Sequence, residues 1–264
     1  MKPLVYLAAL GSGSKGNAFV LSRGGDSILI DAGFSRKVLL ERMERVGVDP
    51  GTIRAVCITH EHDDHVKGAR VFCDSLKIPV YATCGTARKM HSSGKLPAKV
   101  VEFEPGACFE RYGFEISAFS VQHDADDPVG FTIRVEGVKI GFATDLGKVN
   151  SLAKARLANC DTLILESNYD DEMLMNSDRE FRLKQRIRGA NGHLSNALTA
   201  AVLPELLGGQ SRRVLLAHIS GECNTYELAY RSSRGAIDGA GRGEIELGVI
   251  RQDEPLPRIE LAND

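Results

Sequence analysis

Thr59-His60-Glu61-His62-Asp63-Asp64-His65 sets three histidines and Asp64 within six residues, directly after the apolar run 55–58. That run is short, apolar and bounded by polar residues, which predicts a buried strand. A chain leaving a strand is still extended, so His60 and His62 project to the same side with period two, while Asp64 and His65 fall at the turn into the next helix. One pair can serve one cation and the other pair a neighbour. Imidazole and carboxylate without thiolate suit zinc, manganese, iron or nickel and argue against calcium or copper(I).

Four residues do not complete two coordination shells, so further ligands are expected at other strand ends. His123 follows a strand that ends at Val121, Asp145 follows the run 140–143, and His218 follows the run 214–217. A single strand-terminal aspartate is more often a turn former than a ligand. Here, however, most of the seven histidines stand after apolar strands, which chance does not readily produce.

Outward from the cluster, strands are predicted at 4–10, 18–22, 27–31, 55–58, 80–82, 99–103, 114–121, 130–135, 138–143, 162–166, 213–217 and 244–250. Helices are predicted at 35–46, up to about Leu76, from Thr86, and at 149–157, 179–187, 195–207 and 225–231, with Ser35 as an N-cap and Gly47 as a stop. Glu136-Gly137 is a tight hairpin turn. This order argues for an α/β protein of two stacked sheets with helices on the outer faces, not for a doubly wound sheet. Gly11-Ser12-Gly13-Ser14-Lys15-Gly16 fits a dinucleotide-binding pattern, but a strand follows it where that pattern needs a helix. It reads instead as an active-site loop.

The length of 264 residues and 43% hydrophobic content allow a real core, and no linker-like tract divides the chain, so a single domain over 1–264 is expected. A net charge of −2 gives no global attraction to polyanions, which would have to be held by a local basic patch or by cations. Six cysteines occur without a C-x-x-C pair, which suits reduced thiols in a cytoplasmic protein. Lys2 with the apolar run 4–10 is too little for a signal sequence, and no stretch approaches the ~18 apolar residues that cross a bilayer. No membrane association is expected.

The motif resembles the metallo-β-lactamase superfamily, whose T-H-x-H-x-D-H signature Thr59 to His65 matches in full. Asp31, His123, Asp145 and His218 match its later and earlier motifs in order, and the resemblance covers essentially the whole chain. It implies an αββα four-layer sandwich. By carry-over, His60, His62 and His123 hold one divalent ion, Asp64, His65 and His218 the second, and Asp145 bridges them, the ions being zinc, manganese or iron. Asp31 would support the ligand turn. Such a pair acidifies water for hydrolysis, with Asp64 also orienting that water.

The complete ligand set, His65 included, points within the superfamily to thiolester, lactone or phosphodiester hydrolases. Gly192-His193-Leu194-Ser195-Asn196 opens a helix before His218, and Ser195 or Asn196 can cap it. In the phosphodiesterase branch a comparable histidine protonates the leaving oxygen, with a glutamate such as Glu166 near it, which makes His193 the general acid. Arg179, Arg182 and Arg186 would share one helix face as a phosphate strip. The glycine loop ending at Asn17, the segment 166–170 with Asn168, and the turn at Ser195 look like the YycJ (WalJ) group of bacterial nucleases, thought to act as 5'-to-3' DNA exonucleases. Asn17, Asn168, Arg182 and Ser195 are the substrate-binding candidates, and nucleic acid, DNA before RNA, is the expected partner. A small-molecule thiolester or lactone hydrolase of the glyoxalase II type is the alternative. It needs the same metals but not His193 or the basic helix.

Overall fold

The structure is a computed structural model that describes residues 4–261, so Lys2 lies outside the described residues. In the N-terminal half β1 (Val5–Gly11), β2 (Ala18–Arg23), β3 (Asp26–Ile30), β4 (Ile53–Cys57), β5 (Val80–Thr83) and β6 (Val100–Phe103) pair in sequence order. In the C-terminal half β7 (Cys108–Arg111), β8 (Phe114–Ser120), β9 (Val129–Val135), β10 (Val138–Ala143), β11 (Thr162–Glu166), β12 (Arg213–Ala217) and β13 (Glu246–Val249) do the same. The last strand, β14 (Ile259–Glu260), returns to pair with β1 of the first sheet. Among the described residues this gives two sheets of seven strands.

Of the strands in the N-terminal half, β1, β2, β3 and β5 bury both faces. Val5, Leu7 and Ala9 enter the core between the sheets, where they meet Phe131, Ile133 and Ile140 of the second sheet. Tyr6, Ala8 and Leu10 point the other way, against Leu39, Met43 and Phe72. Those three come from α1 (Arg36–Arg45) and α3 (Ala69–Leu76), which cover the first sheet with α4 (Cys84–Ser92). The outer face of the second sheet is covered by α5 (Ser151–Leu157), α8 (Asn196–Leu206) and α9 (Tyr226–Gly239). Burial on both faces explains why residues 5–10 are apolar without alternation. The architecture is the expected α/β sandwich of helices, sheet, sheet and helices.

Each sheet begins antiparallel and ends parallel: β3, β4, β5 and β6 run together, as do β10, β11, β12 and β13. Parallel strands end on the same edge. This places the residues after β3, β4, β10, β11 and β12 together, and β8, two antiparallel steps from β10, also ends there. Glu136 and Gly137 take φ of 48° and 86°, the two left-handed positions that a two-residue hairpin turn requires.

Several elements differ from expectation. The basic helix α7 (Phe181–Arg188) starts two residues later than predicted because Glu180 takes the N-cap position, so Arg179 lies off the helix. Beyond Arg231, α9 continues to Gly239, burying Ser233 and Ile237. A short helix α6 (Asp171–Asn176), capped by Asp170, precedes α7 where none was predicted. β7 and β14 were also not anticipated. Among the described residues no helix is long and apolar enough to cross a membrane.

Phe131 is fully buried between the sheets. Phe131→Ala is expected to lower the unfolding free energy by roughly 3–5 kcal/mol, transfer and cavity effects together. Denaturant titration with an unchanged slope is the check.

Candidate metal centre and acid–base pair

The ligand turn is held by the loop before β2 and the segment after β3. Asn17 N donates to Asp64 O at 2.7 Å, Ala32 N to His65 O at 2.7 Å, and Gly68 N to Ala32 O at 2.8 Å. Contact is so close at Gly33 that an added Cβ would lie 1.7 Å from Asp64 O, so only glycine fits. α2 (Asp63–Val66) is the single turn that carries Asp64 and His65, with His62 as its N-cap. Asp31 makes the turn rigid: its Oδ1 accepts from Thr59 N at 2.8 Å, and its Oδ2 accepts from Thr59 Oγ1 at 2.9 Å and faces His65 Nδ1 at 2.7 Å. It therefore stands behind the cluster, as the resemblance implied.

Three side chains at strand ends share an uncommon backbone. Asp31, Asp145 and His218 have φ of 58°, 58° and 56°. Left-handed non-glycine residues cost on the order of 1–3 kcal/mol each and persist only where surrounding contacts enforce them. For His218 one such contact is its N–H, which donates to Ser12 Oγ at 2.9 Å. Each reversal turns the side chain back over the sheet edge towards the others.

His60, His62 and His123 bring donor atoms within 4.8 Å of one another, as do Asp64, His65 and His218, and also His60, His65 and Asp145. His62 Nδ1 faces His123 Nε2 at 3.3 Å. Asp64 Oδ2 lies 3.3 Å from His218 Nε2 and 3.6 Å from His65 Nε2. Asp145 stands between the two sets, with Oδ2 3.1 Å from His65 Nε2 and Oδ1 3.3 Å from His218 Nδ1 and 3.8 Å from His123 Nε2. His60 Nε2 is buried without a hydrogen-bond partner, and Asp145 Oδ2 has no aligned donor either, although His65 is near. Orphaned buried polar atoms are rare in folded proteins and call for an explanation. An imidazole and carboxylate donor set of this kind fits a divalent cation.

The electrostatics divide the cluster. Burial holds His60 well below the usual imidazole value, reinforced by the neighbouring His65, and burial also lowers His123. Both therefore keep a neutral ring with a lone pair to offer. For His65 and His218 burial opposes the charge but is outweighed. Asp31, Asp145 and Asp64 raise His65 well above its ordinary value, and Asp145, Asp64 and Glu166 raise His218 to about 10. Asp145 is held well below the carboxylate range, since His218 and His65 overcome its burial.

Beside the cluster, Glu166 Oε1 lies 2.8 Å from His193 Nδ1 and 2.8 Å from His218 Nδ1, while Oε2 accepts from the amides of Leu146 and Leu194. Asp145, Glu166, His193 and His218 also cluster closely enough to hold an ion. Yet the Glu166 oxygens are already occupied by donors, so this carboxylate reads as a positioning group for two imidazoles. Burial works against charge on His193, but Glu166 more than compensates and raises its pKa. With Nδ1 turned to Glu166, Nε2 is the ring nitrogen left for a reacting group.

The remaining candidates occupy different settings. Asn17 is buried and directs its amide to Asp64 Oδ2 at 3.3 Å and to His65 Nε2 at 3.1 Å. Asn168 donates to His218 O at 2.8 Å, and Ser195 is buried, its Oγ capping α8 by accepting from Leu198 N. Arg182 is exposed, whereas Arg179 and Arg186 line the cavity beside His193. Sequence reasoning missed Ser12, and also Gly192, whose carbonyl faces His123 Nδ1 at 3.1 Å. It also missed Asp124, which pairs with Arg186 and sits 3.3 Å from His123 Nε2. The Gly192 contact is made by a backbone carbonyl and leaves no signal in residue identity.

Sandwich and site together define a metal-dependent hydrolase. The chain matches the Beta-lactamase superfamily domain over residues 26–219 and belongs to that family. It is 33% identical to Exodeoxyribonuclease WalJ of Streptococcus pneumoniae over 91% of this chain and 90% of that protein. It is 29% identical to Exodeoxyribonuclease YycJ of Bacillus anthracis over 95% of this chain and 96% of that protein. Among solved structures, the metallo-beta-lactamase fold protein YhfI from Bacillus subtilis superposes with a TM-score of 0.73 over 97% of this chain and 99% of its own, at 16% identity. The likeness of the sequence to the YycJ group is thereby borne out.

Replacing Asp31 by asparagine puts an amide where His65 and Thr59 require acceptors. Asp31→Asn is expected to weaken metal affinity by roughly 10–100-fold, measured by competition with a chelator.

Proposed function

We propose that the protein is a dinuclear metal-dependent phosphodiesterase, a DNA exonuclease working 5'-to-3' in the cytoplasm, with residues 1–264 forming one hydrolase domain. The carrying observation is the His193–Glu166 pair at 2.8 Å, an acid group placed beside the cluster. Thiolester or lactone hydrolysis has no need of it. The relatives named exodeoxyribonuclease, matched over nine-tenths of the chain, favour DNA. All six thiols are unpaired, in keeping with a reducing compartment.

In this reading His60, His62 and His123 hold one cation, Asp64, His65 and His218 the other, and Asp145 lies between. Two bound divalent cations supply Lewis acidity, lowering the pKa of water and neutralising phosphate charge. Asp64, its side chain 20% exposed, is the carboxylate open enough to orient the attacking water. His193 delivers a proton from Nε2 to the leaving oxygen, and Glu166 stabilises the charged ring through Nδ1. Because Glu166 also faces His218 Nδ1, one carboxylate sets the rotation of both rings. Among the substrate-side residues, Arg182 is exposed on α7 without an ion-pair partner among the described residues, which suits a phosphate contact. Asn168 lines the adjoining cavity, while Asn17 and Ser195 act through the residues they hold.

His62→Ala is expected to lose both metal and turnover. His193→Ala should keep its metal and lose roughly 10²–10⁴-fold in rate. Metal analysis, paired with assays on labelled single-stranded DNA, a nitrophenyl phosphodiester and S-lactoylglutathione, checks both. Full DNA cleavage by His193→Ala, or a preference for the thiolester, would overturn the reading.

A further inference from the structure

Asp124 follows His123 in the loop between β8 and β9, and its two carboxylate oxygens have different partners. Oδ1 lies 3.3 Å from His123 Nε2, while Oδ2 accepts from Arg186 through both Nε and Nη2. His123 turns Nδ1 to the Gly192 carbonyl at 3.1 Å, so Nε2 is the nitrogen left to face a cation. Through one carboxylate, Arg186 is thereby fastened to the edge of the set His60, His62 and His123. It also lines the cavity that His193 borders, and the His193 ring lies 5.2 Å from the His123 ring. The guanidinium thus stands beside both the three-histidine set and the acid group.

An exposed ion pair adds little to stability. Arg186 has a side chain 62% exposed, so the fold gains little from this contact. With Nε and Nη2 fastened, the plane of the guanidinium is set, and Nη1 is the donor without an acceptor among the described residues. The other two arginines of the basic stretch are placed differently. Arg179 pairs with Glu222 at 2.8 Å, and Arg182 is exposed one turn away along α7.

We propose that Arg186 is the specificity-determining residue of this site, donating from Nη1 to a non-bridging oxygen of the scissile phosphate, and that Asp124 is the positioning residue that holds it there. The inference rests on the phosphodiesterase reading above and adds the group that recognises the phosphoryl centre itself. A thiolester presents a single carbonyl oxygen. A phosphodiester presents two non-bridging oxygens, over which charge is spread in the transition state, where a donor fixed in advance is most effective. The Asp124–Arg186 pair is neutral as a whole, so what it offers is a fixed donor and not an attraction of long reach.

The test uses the metal-loaded protein with a nitrophenyl phosphodiester, and with DNA carrying one phosphorothioate link of defined Rp or Sp configuration. Arg186→Met is expected to lower kcat on the diester roughly 10²-fold with KM little changed and metal content equal to the wild type. The ratio of cleavage rates for the Rp and Sp links, which depends on which oxygen the guanidinium meets, shifts roughly tenfold. Arg186→Lys keeps the charge without the planar fork and restores only part of the rate. Asp124→Asn moves the Rp/Sp ratio in the same direction, whereas Arg182→Ala weakens DNA binding and leaves that ratio as in the wild type. Calorimetry with inorganic phosphate supplies a readout apart from turnover, with binding to Arg186→Met roughly tenfold weaker. An unchanged Rp/Sp ratio in Arg186→Met, phosphate bound as tightly as by the wild type, or a ratio that moves with Arg182→Ala instead overturns the assignment and leaves the phosphodiesterase standing. Wild-type protein that cleaves neither the diester nor DNA overturns both.

Discussion

Asp145 carries a carboxylate that is 2% exposed, in a place where no charge survives unless donors surround it. An unpaired buried carboxylate costs several kcal/mol even after relaxation. Here the compensation comes from rings supplied by three strand ends and the turn between α7 and α8, His65 at 3.1 Å, His218 at 3.3 Å, His193 at 3.6 Å and His123 at 3.8 Å. Both sheets must therefore be in register before the charge is satisfied. The N-terminal half contributes the ligand turn, the C-terminal half contributes Asp145 itself, and neither half holds the centre alone.

What was legible in the sequence follows from this dependence. Residues that project from the end of a strand reveal themselves, because a polar residue after an apolar run has few other reasons to be there; His60, His123, Asp145 and His218 were found that way. Glu166 ends a buried strand, and its pairing with His193 was anticipated, but its contact with His218 was not, because that depends on the alignment of β11 with β12. Elements with weak patterns stayed hidden. β7 is a largely exposed edge strand, β14 has two residues, and α6 is a single capped helix of six. The continuation of α9 was masked by Ser232, Ser233 and Gly235, poor helix formers whose cost tertiary packing absorbs.

Long-range support came from a residue with no motif at all. Gln252 is 9% exposed, and its side chain accepts from Lys15 N at 2.7 Å and donates to Gly16 O at 3.1 Å. Its backbone is held as well, the N–H donating to Tyr226 OH at 3.1 Å and the carbonyl accepting from Arg42 at 2.9 Å. The clamped loop carries Ser12, which fixes His218, and Asn17, which touches Asp64 and His65. The glycine-rich run that resembles a dinucleotide fingerprint thus serves as a scaffold between the C-terminal segment and the ligands.

Shape of the cavity and shape of the cluster are mechanically tied. The C-terminal turn of α7 fixes His193, whose N–H donates to Ile187 O at 2.9 Å, and the same turn presents Gly192 O to His123 Nδ1 at 3.1 Å. Arg186 adds a second link through Asp124 to His123. A displacement of α7 that altered the cavity would therefore rotate a ring of the cluster and move the acid at once. Packed elements do not deform continuously, so a bound group that seats α7 correctly also sets the angle of His123 and the reach of His193. Fit in the cavity and geometry at the reacting centre cannot vary independently, and that linkage runs both through the Gly192 carbonyl and through the Arg186–Asp124 pair.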